Sequence, residues 1–83
     1  MAKYTTELDE VFLALSDPTR RSVVRHLGGG PASVGELARS FPMTLPSFMK
    51  HVRTLEASGL ITSTKVGRVR TCSLNPDRLA VID

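Results

Sequence analysis

The amino-acid sequence predicts a mainly α-helical (α+β) domain that carries one small β-hairpin. Apolar residues recur at helical spacing in four segments before Ser58-Gly59, and two segments rich in β-branched residues then flank Gly67-Arg68. A chain of 83 residues is expected to form one domain, over residues 1–83. A last helix starts at Asn75-Pro76 and has barely begun when the chain ends, so we expect this final helix to be truncated.

The composition is typical of a folded soluble domain, because 41% of the residues are apolar. A net charge of +3 and a pI of about 9.6 mildly favour a polyanionic partner. No apolar run approaches the roughly 20 residues that span a bilayer. The N-terminus has no apolar signal-peptide segment, and the single cysteine, Cys72, cannot form an internal disulfide. We therefore expect a cytoplasmic protein without a membrane partner.

The first two helices are indicated by apolar spacing and by turn residues. The first has an apolar stripe at i, i+3, i+4 and i+7, formed by Leu8, Val11, Phe12 and Leu15. Asp17 suits the N-cap of the second helix and Pro18 its first position. The inward residues of this helix are Val23, Val24 and Leu27. Gly28-Gly29-Gly30-Pro31 then ends it.

Two further helices follow, separated by a turn at Pro42-Met43. We expect Ser33 to cap the third helix, because Glu36 three residues later completes a capping box. The inward residues of the third helix are Val34, Leu37, Ala38 and Phe41. Thr44 caps the fourth helix, with Pro46 in its first turn and an end at Ser58-Gly59. The inward residues of the fourth helix are Leu45, Phe48, Val52 and Leu55.

The hairpin is predicted from Leu60–Val66 and Val69–Leu74, joined by a two-residue turn with glycine first, Gly67-Arg68. In that register one set of residues shares a face, namely Ile61, Cys72 and Leu74. Lys65 and Arg70 likewise share a face near the tip.

The outer face of the fourth helix is small, polar and cationic, as a helix that enters the DNA major groove requires. Its residues are Pro46, Ser47, Lys50, Arg53, Thr54 and Ala57. An ordinary solvated helix face can have the same composition, so this helix alone does not distinguish a DNA-binding surface from a solvated one. The hairpin tip adds the cations Lys65, Arg68 and Arg70 without an acid, which fits phosphate contact or minor-groove entry. Together, in the order helix, turn, helix, hairpin, the two features favour a winged helix-turn-helix that binds double-stranded DNA.

The candidate DNA-binding residues fall into two groups. The first is expected to read bases: Ser47, Lys50 and Thr54, together with Arg53. The second is expected to contact phosphates: His51, Lys65, Arg68 and Arg70, with Ser33 and Thr44 donating near helix starts.

Catalytic and metal-binding constellations are not apparent, so we expect no enzyme, no cofactor and no metal site. No nucleophile–base pair or convergent pair of carboxylates stands out. His26 and His51 lie on different helices without a second ligand at i+3 or i+4. Cys72 reads as a buried structural thiol, although Arg70 two residues away leaves a redox role open.

Four motifs together resemble the ArsR/SmtB-type (arsenical-resistance-repressor) family. They are Phe12-x-Ala14-Leu15-x-Asp17-Pro18-Thr19-Arg20-Arg21, Val34-x-Glu36-Leu37-Ala38, Lys50-His51-Val52-x-x-Leu55-Glu56-x-x-Gly59-Leu60-Ile61 and Lys65-x-Gly67-Arg68. The resemblance implies a repressor that binds operator DNA as a homodimer and is released by an inducer. It also implies dimer contacts through the first and last helices, here Leu8, Val11, Phe12, Leu79 and Ile82.

The chain departs from the family pattern at three positions. The third helix lacks the Cys-x-Cys pair of the family's metal sensors. Met49 stands where a serine commonly precedes the Lys-His pair. In the last strand, Cys72 stands where the family usually has a tyrosine. Two alternatives stay open. One is a winged-helix protein-interaction module without DNA binding, since winged helices also serve as docking domains. The other is a metal- or thiol-sensing repressor, which needs ligands that this sequence does not contain. The sequence does not indicate the operator, the regulated genes or the inducer.

Overall fold

The computed structural model describes residues 3–80, with side chains from Glu7 to Ala80. It confirms the mainly α fold class with a β-hairpin. The elements are α1 (Lys3–Leu15), α2 (Pro18–Leu27), β1 (Ala32–Ser33), α3 (Val34–Ala38), α4 (Leu45–Ala57), β2 (Ile61–Val66), β3 (Val69–Leu74) and α5 (Pro76–Leu79). The order α3, turn, α4, β2–β3 is that of a winged helix-turn-helix. None of the helices in this part of the chain could cross a membrane.

Side-chain caps start the helices where the sequence predicts them. Asp17 caps α2, since its carboxylate accepts a hydrogen bond from the Arg20 backbone N–H at 3.0 Å. Ser33 and Glu36 form a complete capping box at α3, with both hydrogen bonds at 3.1 Å. Thr44 and Asn75 cap α4 and α5 in the same way. These local contacts fix the points at which the chain changes direction.

The sheet has a third strand that the sequence analysis did not predict. Its order is β1-β3-β2, and β1 pairs antiparallel with β3 through Ala32 opposite Cys72. A strand of two residues is too short to show a period in the sequence. The hairpin register agrees with the prediction, because Lys65 lies opposite Arg70 and Val66 opposite Val69 across a turn in which Gly67 has a φ of 62°. A positive φ at this position favours glycine.

The core corrects the predicted apolar faces at two places. Among the side chains of α1 from Glu7 onward, Val11 and Ala14 are fully buried, whereas Phe12 is 57% exposed. The inward line of α1 therefore follows an i, i+3 spacing on which Phe12 does not lie. Leu45 is 56% exposed, because the first residue of α4 precedes the part of the helix that packs on the core. Phe48, Val52 and Leu55 are fully buried, as predicted.

The burial pattern of α1 also changes the set of residues that can form the predicted dimer interface. Val11 is completely enclosed by its own protomer, so its side chain has no surface to offer a partner. Leu8 and Leu79 are half-buried. Phe12 remains available at the surface. Ile82 lies outside the described residues.

Candidate nucleic-acid interface

The helix α4 is held on the core by one face, which directs the opposite face to solvent. The Phe48 ring stacks on that of Phe41 with 5.3 Å between the ring centroids. The exposed residues on the far side of the helix are Pro46, Ser47, Lys50, Arg53 and Ala57. The only acid of α4, Glu56, is half-buried and lies at the side of the helix, so the exposed face is cationic and free of carboxylates. A face of this shape and charge can approach DNA closely.

Lys50 and Arg53 lie three residues apart on this face. Both are exposed, and within residues 7–80 neither forms an ion pair with a carboxylate. Residues with this spacing on a helix point in similar directions. Their cationic groups are therefore free to contact a polyanion.

At the start of α4, Thr44 and Ser47 are linked to each other. The Thr44 hydroxyl accepts from the Ser47 backbone N–H at 3.3 Å and donates to Ser47 Oγ at 3.0 Å. Since Ser47 Oγ accepts in this contact, its own proton stays free to donate. Ser47 is thus the better placed of the two for a further hydrogen bond.

Thr54 does not belong with the exposed residues, in contrast to the prediction. Its hydroxyl donates to the Lys50 carbonyl at 3.0 Å, and the side chain is half-buried. It lines a small cleft of about 230 Å³ between α1 and the end of α4, together with Glu10, Leu13, Ala57 and Ser58. Thr54 therefore faces α1. The helical wheel could not reveal this, because it does not show on which flank of α4 the first helix packs.

The hairpin places its three cations beside the start of α4. Arg68 is exposed at the tip, and Lys65 lies opposite Arg70. The Arg70 guanidinium donates to Ser63 Oγ at 2.8 Å, which limits its freedom. A cleft of about 480 Å³ separates the hairpin from the helices, and its lining residues are Ser33, Val34, Gly35, Leu45, Met49, Lys65, Arg68, Val69 and Arg70. The structure thus brings Ser33 and the hairpin cations together, with Met49 turned toward them.

His51 lies on a different flank of α4 and contacts the corner between α1 and α2. Its Nδ1 is 3.1 Å from Arg20 Nη1 and 3.7 Å from Asp17 Oδ2. The side chain is 23% exposed. Sequence reasoning missed Arg20 as a neighbour of the DNA-binding candidates. The only signal was its place in the Asp17-Pro18-Thr19-Arg20-Arg21 motif.

Local charges and burial shift the pKa values of Asp17, which lies beside His51, and of Cys72, which lies in the core. Partial desolvation raises the pKa of Asp17, but the Arg20 backbone hydrogen bond outweighs it together with electrostatic interactions with the His51 ring and the Arg20 guanidinium, and the pKa stays below its usual value. Burial raises the pKa of the Cys72 thiol, with a further contribution from Glu56. A buried thiol of raised pKa has little reactive thiolate at neutral pH. In residues 7–80 no three His, Cys, Asp or Glu side chains are grouped closely enough to hold a metal ion.

Known proteins are similar to this chain in sequence and in the arrangement of elements. A family model described as a helix-turn-helix domain matches residues 15–64. The HTH-type transcriptional regulator Rv2034 of Mycobacterium tuberculosis is 38% identical over 74 residues, which cover 89% of this chain and 69% of that protein. The transcriptional repressor SdpR of Bacillus subtilis is 35% identical over 82% of this chain and 76% of its own length.

A solved structure extends the similarity to nearly the whole chain. The crystal structure of an ArsR family transcriptional regulator, RHA00566, superposes with a TM-score of 0.92 at 51% sequence identity. The match covers 99% of this chain and 84% of the other. With the helix-turn-helix model matching more than half of the residues, the conclusion is direct: this chain belongs to the ArsR family of helix-turn-helix transcriptional regulators, a family of regulators and not of enzymes.

Proposed function

We propose that the protein is a transcriptional repressor that binds double-stranded operator DNA as a homodimer. In this proposal α4 enters the major groove and the β2–β3 hairpin contacts the flanking backbone. The observation that supports it best is the pair Lys50 and Arg53, which lie exposed on the outward face of α4 and form no ion pair with a carboxylate of residues 7–80. Repression is supported by the similarity to SdpR, which is a repressor.

The contacts divide into base reading and backbone positioning. Ser47, Lys50 and Arg53 are proposed to read base edges, since they share the outward face of α4. Thr54 is left out because its hydroxyl is engaged by the Lys50 carbonyl. The proposed phosphate contacts are Ser33, Thr44, His51, Lys65, Arg68 and Arg70.

The exposed apolar surface of α1 and the need to contact two DNA half-sites both support a homodimer. Phe12 and Leu13, neighbours on α1, are 57% and 66% exposed, and exposed apolar surface that forms a patch marks an interaction site. One α4 makes few base contacts, whereas two related by a two-fold axis reach half-sites one helical turn apart. We propose that Leu8 and Leu79 extend this contact, and that the protein works in the cytoplasm, where a bacterial operator would lie.

Fluorescence anisotropy can test DNA binding directly. One labelled duplex carries the sequence upstream of the gene that encodes this protein, and a second of equal length carries the same bases in random order. We expect both to bind at low salt and only the first to stay bound as salt rises, because non-specific binding rests mostly on phosphate contacts. Failure to bind either duplex at low salt would contradict DNA binding and favour the interaction module.

A further inference from the structure

Each of the three nitrogen atoms of the Arg20 guanidinium makes a contact, two with the end of α1 and one with α4. Nε donates to the Ala14 carbonyl at 2.7 Å and Nη2 donates to the Leu13 carbonyl at 3.2 Å, both near the end of α1. Nη1 lies 3.1 Å from Nδ1 of His51 on α4. Arg20 therefore links the end of α1 and the start of α2 to the helix proposed to enter the groove.

The contact with Arg20 determines which nitrogen of His51 carries the proton. A guanidinium only donates hydrogen bonds and stays protonated in proteins, so Nδ1 must act as the acceptor. A neutral imidazole whose Nδ1 accepts has its proton on Nε2. The Asp17 carboxylate does not compete, because Oδ2 is 3.7 Å from Nδ1, beyond hydrogen-bond distance.

The other ring nitrogen of His51 remains available. Among the side chains of residues 7–80, no buried nitrogen or oxygen lacks a hydrogen-bond partner. The His51 ring contacts Arg20 and Asp17 through Nδ1. Nε2 has no protein partner among the described residues and must therefore reach solvent.

We propose that Arg20 is a positioning residue for DNA binding: it holds His51 in the Nε2–H tautomer, so that Nε2 donates one hydrogen bond to a DNA phosphate. The inference rests on the proposed DNA-binding function and adds a residue that does not itself touch DNA. It also explains why Arg20 lies in contact with α4 although its other two contacts cap α1. A second ring nitrogen is commonly fixed in this way wherever histidine has a defined donor role.

Arg21 provides a matched control for the part that Arg20 plays in capping α1. Arg21 Nη1 donates to the Leu15 carbonyl at 2.8 Å, so it stabilises the end of the same helix. Arg21 has no contact with His51. Loss of Arg21 thus removes a capping hydrogen bond and leaves the tautomer contact intact.

Nuclear magnetic resonance of the imidazole nitrogens reads the tautomer without DNA. Long-range proton–nitrogen spectra distinguish a ring nitrogen that carries a proton from one that does not. They are recorded above the pH range in which histidine titrates. The exposed His26 serves as an internal reference. We expect His51 to carry its proton on Nε2 in the unaltered protein and in Arg21→Ala. We expect Arg20→Ala to give a mixture of tautomers. A proton on Nδ1 in the unaltered protein would overturn the inference, as would an unchanged tautomer in Arg20→Ala.

Two substitutions of His51 test the same point if Arg20→Ala does not fold. His51→Gln places an amide N–H₂ near the position of Nε2, whereas His51→Asn reaches only the position of Nδ1. We expect His51→Gln to bind DNA almost as the unaltered protein does, and His51→Asn to lose about tenfold or more in affinity per half-site, as expected for a hydrogen bond to a charged group. Equal affinities for His51→Asn and the unaltered protein, or equal losses in both variants, would contradict the inference. An unaltered protein that binds no DNA would overturn the proposed function as well.

Discussion

Lys65 and Arg70 lie directly opposite each other on β2 and β3, two like charges on neighbouring strands near the tip of the hairpin. Like charges at directly opposed positions destabilise a sheet. Arg70 also reaches back to Ser63 Oγ at 2.8 Å, which draws its guanidinium toward the base of the hairpin. A fold that keeps such a pair loses some stability there, and residues that conflict with local stability are expected at functional sites.

Replacement of Lys65 by glutamate should therefore separate stability from DNA binding. We expect Lys65→Glu to raise the free energy of unfolding by about 0.2–1 kcal/mol, because an opposite-charge pair replaces a repulsive one. DNA affinity should fall, because a phosphate contact becomes a repulsion. Urea unfolding and anisotropy measure the two effects. Thr64→Glu is the control, since it places a glutamate at the neighbouring position, opposite the uncharged Thr71. A less stable Lys65→Glu would contradict the expected repulsion.

Asp17 should make the stability of the protein depend on acid. Its pKa is lower in the folded protein than in the unfolded chain, so the folded state favours the ionised carboxylate. This stabilisation is present at pH values above the unfolded pKa and is lost as the pH falls through the lowered pKa of the folded state. Asp17→Asn keeps an N-cap acceptor but does not titrate. We expect its urea midpoint to fall less steeply in acid than that of the unaltered protein.

Glu36 is a second source of acid sensitivity, because hydrogen bonds with Ser33 lower its pKa in the folded protein. Some acid sensitivity should therefore remain in Asp17→Asn. Asp17→Ala is the matched variant that removes the cap itself, and it should cost about 1 kcal/mol at neutral pH. Identical acid profiles for Asp17→Asn and the unaltered protein would show that Asp17 is not responsible.

Phe12 should be required for the proposed homodimer. Its ring is 57% exposed in the protomer, so a charge placed there would be buried without a partner in an interface through α1. We expect Phe12→Lys to sediment as a monomer at tens of micromolar, where the unaltered protein sediments as a dimer. Val66→Lys is the control, since Val66 is 75% exposed on the hairpin. A dimer that survives Phe12→Lys would place the interface elsewhere.

Local features of the fold were predictable from the sequence, whereas contacts between distant elements were not. The caps at Asp17, Ser33 and Thr44 follow from side chains that bond backbone groups within three residues. The strand β1 is different, because two residues form it only when β3 is present to pair with them. Leu45 follows the apolar period of α4, but the period does not show where the core ends.

The candidate interface shows the same division. The exposure of Lys50, Arg53 and Arg68 follows from helical period and turn chemistry. The contact between Arg20 and His51 joins residues 31 positions apart and depends on how the corner between α1 and α2 packs against α4. The orientation of Thr54 toward α1 depends on the same packing. No pattern along the chain contains that information.

Arg68 should position the protein on DNA without reading its sequence. The side chain is exposed at the hairpin tip, from which a long cation can reach the backbone. We expect Arg68→Ala to weaken binding about equally on operator and random duplexes. The slope of log affinity against log salt should flatten by about one unit per half-site. Arg68→Lys keeps the charge and should keep the slope. A selective loss on the operator would show instead that Arg68 reads bases.

Lys50 should behave differently, because it lies on the outward face of α4 and not on the hairpin. We expect Lys50→Ala to reduce the preference for operator over random DNA, at a cost of about 1–3 kcal/mol if the ammonium makes a good base contact. Thr54→Val is the control on the same helix. Its hydroxyl donates to the Lys50 carbonyl and its side chain faces α1, so the preference should be unchanged. Anisotropy titrations with both duplexes at one salt concentration measure the ratio. If Lys50→Ala lowers both affinities equally, Lys50 contacts phosphate, and base reading then falls to Ser47 and Arg53.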